Sequence, residues 1–307
     1  MAIQGFKTKV GLGKETTFGT AVVPSFMLPN KAPKPKDIYK QIVDSDLRGS
    51  NSKDQQSQQG TGHSEVDLDF PAYPDLIGNM LMALLGTDTP TGAGPTYSHA
   101  LTQADAPPSY SITDYDGVAA KVYAGQKISD LTLKYATDGD FRVTSKSTGK
   151  VSASAATPAT AFTTAQQFLG WQSSVTIGGV ANNKMIDFEL SLKRVVELVW
   201  GAGDAKDVTD SAADALEVTG KMTFVPSDHT ELNYYLNDTQ PTCVIVITSG
   251  TNVLTLQMSV CSFESPTEIQ RGGKAYPMIS ASFRAIYNAT DAGSIKATLV
   301  NGQSASY

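Results

Sequence analysis

Apolar and polar positions alternate along most of this chain, and one arrangement of them occurs twice. In GHSEVDLDFPAYPDLIGNMLMALLG (62–86), Val66, Leu68 and Phe70 alternate up to Pro71. In LEVTGKMTFVPSDHTELNYYLND (216–238), Leu216, Val218, Met222 and Phe224 alternate up to Pro226, with Gly220 in the empty slot. Period two predicts a half-buried strand, because successive side chains point to opposite faces. Each strand runs into an apolar set at helical spacing: Leu76, Ile77, Met80, Leu81, Leu84 and Leu85, then Leu232, Tyr235 and Leu236. Gly86 is placed to stop the first helix, and Asp228 with Glu231 three residues on is a capping signal for the second. A unit used twice predicts a duplicated module, an arrangement more typical of architecture than of catalysis.

Elsewhere the pattern predicts strands at SYSIT, ISDLTLKYA, DFRVTSKS, SSVTIGG, MIDFELSLKRVVELVW, CVIVIT, VLTLQMSVCSF and PMISASFRAIY. Asp138-Gly139 predicts a hairpin turn. The expected fold is mainly β: two tandem β-sandwich or barrel modules, each with one short flanking α-helix. Residues 1–150 form the first, 151–165 a linker and 166–307 the second. Between about 29 and 62 runs a long polar arm. It opens with PNKAPKPK, ends in RGSNSKDQQSQQGTG and carries the isolated apolar residues Ile38, Tyr39, Ile42, Val43 and Leu47. Such a stretch is either a floppy insertion or a segment that orders against a neighbouring subunit.

Composition narrows the function. Hydrophobic residues are 40% and charged residues 18%, with a net charge of −6, so there is no global basic footprint for nucleic acid. Residues 31–53 run against that balance, with Lys31, Lys34, Lys36, Lys40, Arg48 and Lys53 against Asp37, Asp44 and Asp46. The N-terminus lacks an apolar signal-peptide core and no apolar run is long enough for a helix to span a bilayer, so a cytoplasmic origin and no membrane partner are expected. Cys243 and Cys261 fall inside strand patterns and are expected as buried thiols, with a disulfide as the alternative.

Chemistry is scarce. GLGKET at 11–16 has Thr8 and Glu15 where a phosphate loop needs Gly and Ser or Thr, so it reads as a turn. His63, His99 and His229 lie on separate elements without ligand spacing. Asp67 and Asp69 share one strand face, as do Asp187 and Glu189; a cation site or carboxylate pair is possible chemistry, and a solvated face explains the repetition better. No catalytic, cofactor-binding or metal site is expected, and the chain is expected not to be an enzyme.

The run Lys9-Val10-Gly11-Leu12-Gly13-Lys14-Glu15-Thr16-Thr17-Phe18-Gly19-Thr20-Ala21, followed by Pro24, resembles the opening of long-tailed bacteriophage tail tube (major tail) proteins. The run Trp171 to Gly179 at the start of the second half is consistent with that family. The resemblance implies β-sandwich modules whose rings stack into a hollow tube in the virion tail, through which phage DNA passes without specific binding. It also implies partners: further copies of the chain, a tape measure protein, a tail terminator and tail tip proteins. Two modules per chain suggest a ring of three chains with pseudo-sixfold symmetry, or six chains if one module is only a decoration. Asp67, Asp69, Asp187 and Glu189 are the candidate lumen-facing acidic positions, where negative charge would repel phosphate. Lys34, Lys36, Ile38, Tyr39, Ile42, Leu47 and Arg48 are the candidate inter-ring arm. The competing expectation is a β-rich binding, capsid-decoration or adhesin module that forms no tube.

Overall fold

The computed structural model describes residues 5–46, 48–203, 206–271 and 275–307. The first half runs β1 (Lys9–Lys14), β2 (Phe26–Leu28), the hairpin β3 (Lys34–Asp44) and β4 (Gln56–Pro71), and α1 (Ile77–Leu85). It continues with the hairpin β5 (Gly86–Thr91) and β6 (Tyr97–Gln103), then β7 (Tyr110–Tyr115), β8 (Ala120–Ala136), β9 (Arg142–Gly149) and β10 (Ala153–Ala155). The second half runs β11 (Ser173–Ile177), β12 (Val180–Ala181), the hairpin β13 (Met185–Val199) and β14 (Asp210–Phe224), and α2 (Thr230–Leu236). It ends with β15 (Cys243–Ser249), β16 (Asn252–Met258), β17 (Cys261–Gln270), β18 (Met278–Ala285) and β19 (Lys296–Asn301).

Eight strands form one antiparallel layer in the order β3-β4-β9-β8-β13-β14-β18-β17. Strand β8 is 17 residues long and belongs to two layers. Its second half lies between β9 and β13, while its first half pairs with β7 and β10 beside β1 and β2. A further layer runs β12-β11-β15-β16-β19-β6-β5. The sheets are open, not closed barrels. Inward residues such as Phe70, Leu133, Val143, Leu190, Met222 and Leu256 are fully buried between the layers. The alternating pattern is the direct record of that burial.

The strand pairings of the two halves follow the same pattern. β1 to β4 correspond to β11 to β14, α1 to α2, β7 to β15, the two halves of β8 to β16 and β17, β9 to β18, and β10 to β19. Each hairpin carries a bulge, between Tyr39 and Gln41 in one and Arg194 and Val196 in the other. With Phe70 set against Phe224, these bulges coincide, which fixes the correspondence residue by residue. The hairpin β5–β6 has no counterpart. It covers α1, and β6 pairs with β19 of the other half. That cover explains why every α1 residue but Asn79 is buried, whereas α2 buries only Glu231.

Three local expectations are refined. Gly86 does end α1, with φ of 100° and its N–H on the Met82 carbonyl. Asp228 accepts from the Thr230 N–H at 2.9 Å, but Glu231 accepts from Asn182 Nδ2 instead of closing a capping box. The arm is not a structureless insertion: residues 34–44 pair with 56–67 within the single chain, so no neighbour is needed to order it. Beyond the sheet both its strands are exposed on both faces, so their few apolar residues follow no period-two pattern.

Candidate assembly surfaces

The eight-stranded layer has one buried face and one open face. Cross-strand register assembles the open face from polar residues of every strand. One row crosses six strands with alternating sign: Lys34, Asp67, Lys146, Asp130, Lys193 and Glu217. Arg284 extends it, bonding Glu217 at 2.5 Å and Glu264 at 3.0 Å. Glu264 lies on β17, so the row begins with a cation on one edge strand and ends with an anion on the other. A shallow trough runs along this row past Asp67, Asp69, Asp130, Lys146, Glu189 and Lys193.

The four acidic residues singled out by spacing all belong to this face. Asp69 accepts from Arg142 at 2.6 Å, and the same guanidinium bonds Asp140 at 3.0 Å. These hydrogen bonds hold the Arg142 guanidinium above its ordinary pKa against the opposing effect of partial burial. Glu189 pairs with Lys134 at 3.0 Å across the β8–β13 seam. Asp67 stands in register between Lys34 and Lys146, and Asp187 is exposed at the row's far side opposite Ala136 and Thr223. The face is therefore charge-compensated, not uniformly acidic.

Of the arm residues, Lys34 and Lys36 lie on the sheet edge, not on the projecting tip. Lys36 bonds Glu65 at 2.6 Å, which holds the Glu65 carboxyl below its usual range. Ile38 is half-buried, Tyr39 and Ile42 are exposed, and Arg48 pairs with Asp44. Leu47 lies outside the described residues.

The second hairpin also projects beyond the sheet, a feature that sequence reasoning missed. Its outer strands expose Val195, Val199 and Trp200. Its tip leans on the first arm: Trp200 Nε1 donates to the Gly62 carbonyl at 3.1 Å, and the Gly62 N–H donates to the Lys206 carbonyl at 2.8 Å. The clue was the length of MIDFELSLKRVVELVW, which runs on as KRVVELVW after its alternation ends at Leu192.

Cys243 and Cys261 are free, buried thiols. The neighbouring Cys261 and complete burial push the Cys243 thiol well above its ordinary pKa, so Cys243 is not poised as a nucleophile. Among the described residues, no His, Cys, Asp or Glu group is arranged to hold a metal, and no helix is long and apolar enough to cross a membrane.

An open polar sheet face, two edge strands and two projecting hairpins are what the eight-stranded layer exposes among the described residues. No curated protein matches the chain. The family model for phage tail tube protein matches residues 5–285, and the chain therefore belongs to the phage tail tube protein family, whose members are structural proteins of the virion tail.

Proposed function

We propose that three copies of this chain close into a ring with pseudo-sixfold symmetry, and that rings stack into the tube through which phage DNA passes. The single observation that carries this reading is the internal seam between β8 and β13. Strand β8 corresponds to β17, and β13 corresponds to β3, so the strands paired inside the chain are the equivalents of its two free edges. The seam that joins the halves is thus a template for joining chains, and closure of the ring removes both edges.

The register supplies a geometric check. Following the charged row from β3 to β13 leads from Lys34 to Lys193, but the residue equivalent to Lys34 is Glu189. Each half is therefore staggered by four residues over four strands. At roughly 3.3 Å per residue and 4.8 Å per strand, that stagger tilts the strands by about 35°, within the range of closed barrels. Three chains would supply 24 strands and a wall about 45 Å across, whereas six would give about 90 Å. The narrower wall suits a conduit for one DNA duplex and for a tape measure protein within it.

The open, charge-compensated face lines the lumen in this reading, with Asp67, Asp69, Asp187 and Glu189 on the inner wall beside their cations. The two hairpin tips, with exposed Ile42, Val43 and Val199, reach the next ring, and the column ends on the tail terminator and tail tip. End-on electron microscopy of purified protein at rising concentration tests the proposal. Hollow rings with threefold averages and near-sixfold appearance are expected. Compact particles without a central hole at every concentration would favour a binding or decoration module.

A further inference from the structure

The same internal template sets the register and the charge pattern of the seam between chains. We infer that β17 of one copy pairs antiparallel with β3 of the next, with Glu268 opposite Lys36, Gln270 opposite Lys34 and Ile269 opposite Pro35. This deepens the ring reading and rests on it.

Matched pairs fix the register. In the internal seam, Thr132 stands opposite Ser191, Lys134 opposite Glu189 and Leu133 opposite Leu190. Thr132 pairs with Thr144 on β9, as Glu268 pairs with Ser280 on β18. Thr144 pairs with Asp69 and Ser280 with Thr223, the residues preceding Phe70 and Phe224. Glu268 is therefore the counterpart of Thr132, and Lys36, opposite Glu65 on β4, is the counterpart of Ser191.

Burial points the same way. Leu133 and Leu190 are fully buried at the internal seam, while Ile269 and Pro35 are half-exposed at the free edges. Pairing would cover both.

The charges at the two seams differ. At the internal seam, cations and anions come from both strands: Lys134 and Asp130 on one, Glu189 and Lys193 on the other. At the free edges they are segregated. On the open face β3 presents Lys34 and Lys36, its Asp37 being turned away to accept from Ser152 and its Asp44 paired with Arg48 at the tip, whereas β17 presents Glu264 and Glu268. Unlike edges attract, and β3–β3 or β17–β17 pairing places like charges opposite each other. The proline and lysines of β3 further discourage casual strand addition. The free edges therefore select one partner, the opposite edge of a second copy, in one orientation.

Paired cysteines test the register. Assembled protein carrying Lys36→Cys and Glu268→Cys should oxidise to a covalent ladder, and a control with Lys34→Cys and Glu268→Cys, slipped by two residues, should not. Native Cys243 and Cys261 are fully buried and do not compete. A ladder ending at three chains supports both the register and the ring of three. A ladder ending at six retains the register and overturns the stoichiometry. Cross-linking of the slipped control alone, or rings visible by microscopy with no cross-link in either variant, overturns the register while leaving ring formation standing.

Charge reversal gives a second readout. Lys36→Glu should lower ring yield at least about tenfold, and adding Glu268→Lys should restore it, since each ring repeats the exchange at every seam. Rings formed by Lys36→Glu alone at wild-type yield would overturn the charge argument.

Discussion

Glu15 shows how a motif residue can be structural without being chemical. Its buried carboxylate accepts from Ser109 Oγ at 2.7 Å, Ser111 Oγ at 2.6 Å, the Gly125 N–H at 2.8 Å and the Gly19 N–H at 2.9 Å. It ties β1 to β7, β8 and the following turn, which accounts for an acidic residue where a phosphate loop would need a hydroxyl. Glu15→Ala strands four donors, and a loss of about 3–5 kcal/mol is expected in chemical denaturation. Glu15→Gln should lose less, and equal midpoints for both variants would refute this role. Gly220 presents the opposite case, a gap that the sequence exposed and the structure fills. A Cβ there would lie 2.2 Å from the ring of Phe283, its cross-strand partner, so the aromatic occupies the missing side chain's place. Gly220→Val should destabilise by about 1–3 kcal/mol through overpacking despite the gain in strand propensity. The alternation showed the empty slot; its occupant, on a strand distant in sequence, was not legible from local spacing.

The legibility of each element tracked how asymmetric its surroundings are. Strands with one wet and one buried face announced themselves by alternation, and α1 and α2 by helical spacing. The hairpin tips are solvated on both faces, so their strands wrote no period and the first arm read as a polar insertion. A deletion of residues 33–58 would remove β3 itself, the proposed edge for the next chain. The cleaner test replaces residues 42–58 with Asn-Gly, joining Gln41 to Gln59 across a two-residue turn. The variant should keep its fold and its rings, while stacking into long tubes fails; tubes of normal length would show that the tip makes no inter-ring contact. Helix α2 yields a parallel prediction. Its counterpart α1 receives Arg194 of β13, whose guanidinium donates to the Leu84 and Ala104 carbonyls at 3.4 and 2.9 Å. The equivalent of Arg194 at the free edge is Tyr39, and the equivalent end of α2 leaves Leu236 64% exposed. Leu236→Asp should therefore reduce ring yield while leaving the denaturation midpoint of the monomer within about 0.5 kcal/mol of wild type.

At the scale of the whole molecule, the recurrence of the strand–proline–helix unit was legible because its apolar pattern is retained in both halves. The joining of those halves was not, since β8 to β13 and β6 to β19 pair residues far apart in sequence. The charge of the open face, the proposed lumen lining, was also beyond local reading. Asp67, Asp69 and Glu189 stand out along their own strands, but Lys146, Arg142 and Lys134 reach the same face from other strands. A wall of alternating charge neither concentrates nor excludes counterions strongly, so a phosphate backbone passing along it meets no sustained basic track to release its counterions. Breaking the alternation should create such a track. Asp67→Asn with Asp130→Asn leaves Lys34, Lys146 and Lys193 without the intervening anions and removes two negative charges from every chain of the ring. Such rings should bind short duplex DNA with an affinity that falls steeply with salt, while wild-type rings bind little at physiological ionic strength. Control rings with two exposed anions neutralised off the open face, Asp105→Asn and Asp116→Asn in the loops flanking β7, carry the same net charge and should not gain binding. If both variants bind alike, net charge and not the lining governs DNA contact, and the open face has been assigned to the wrong side of the wall.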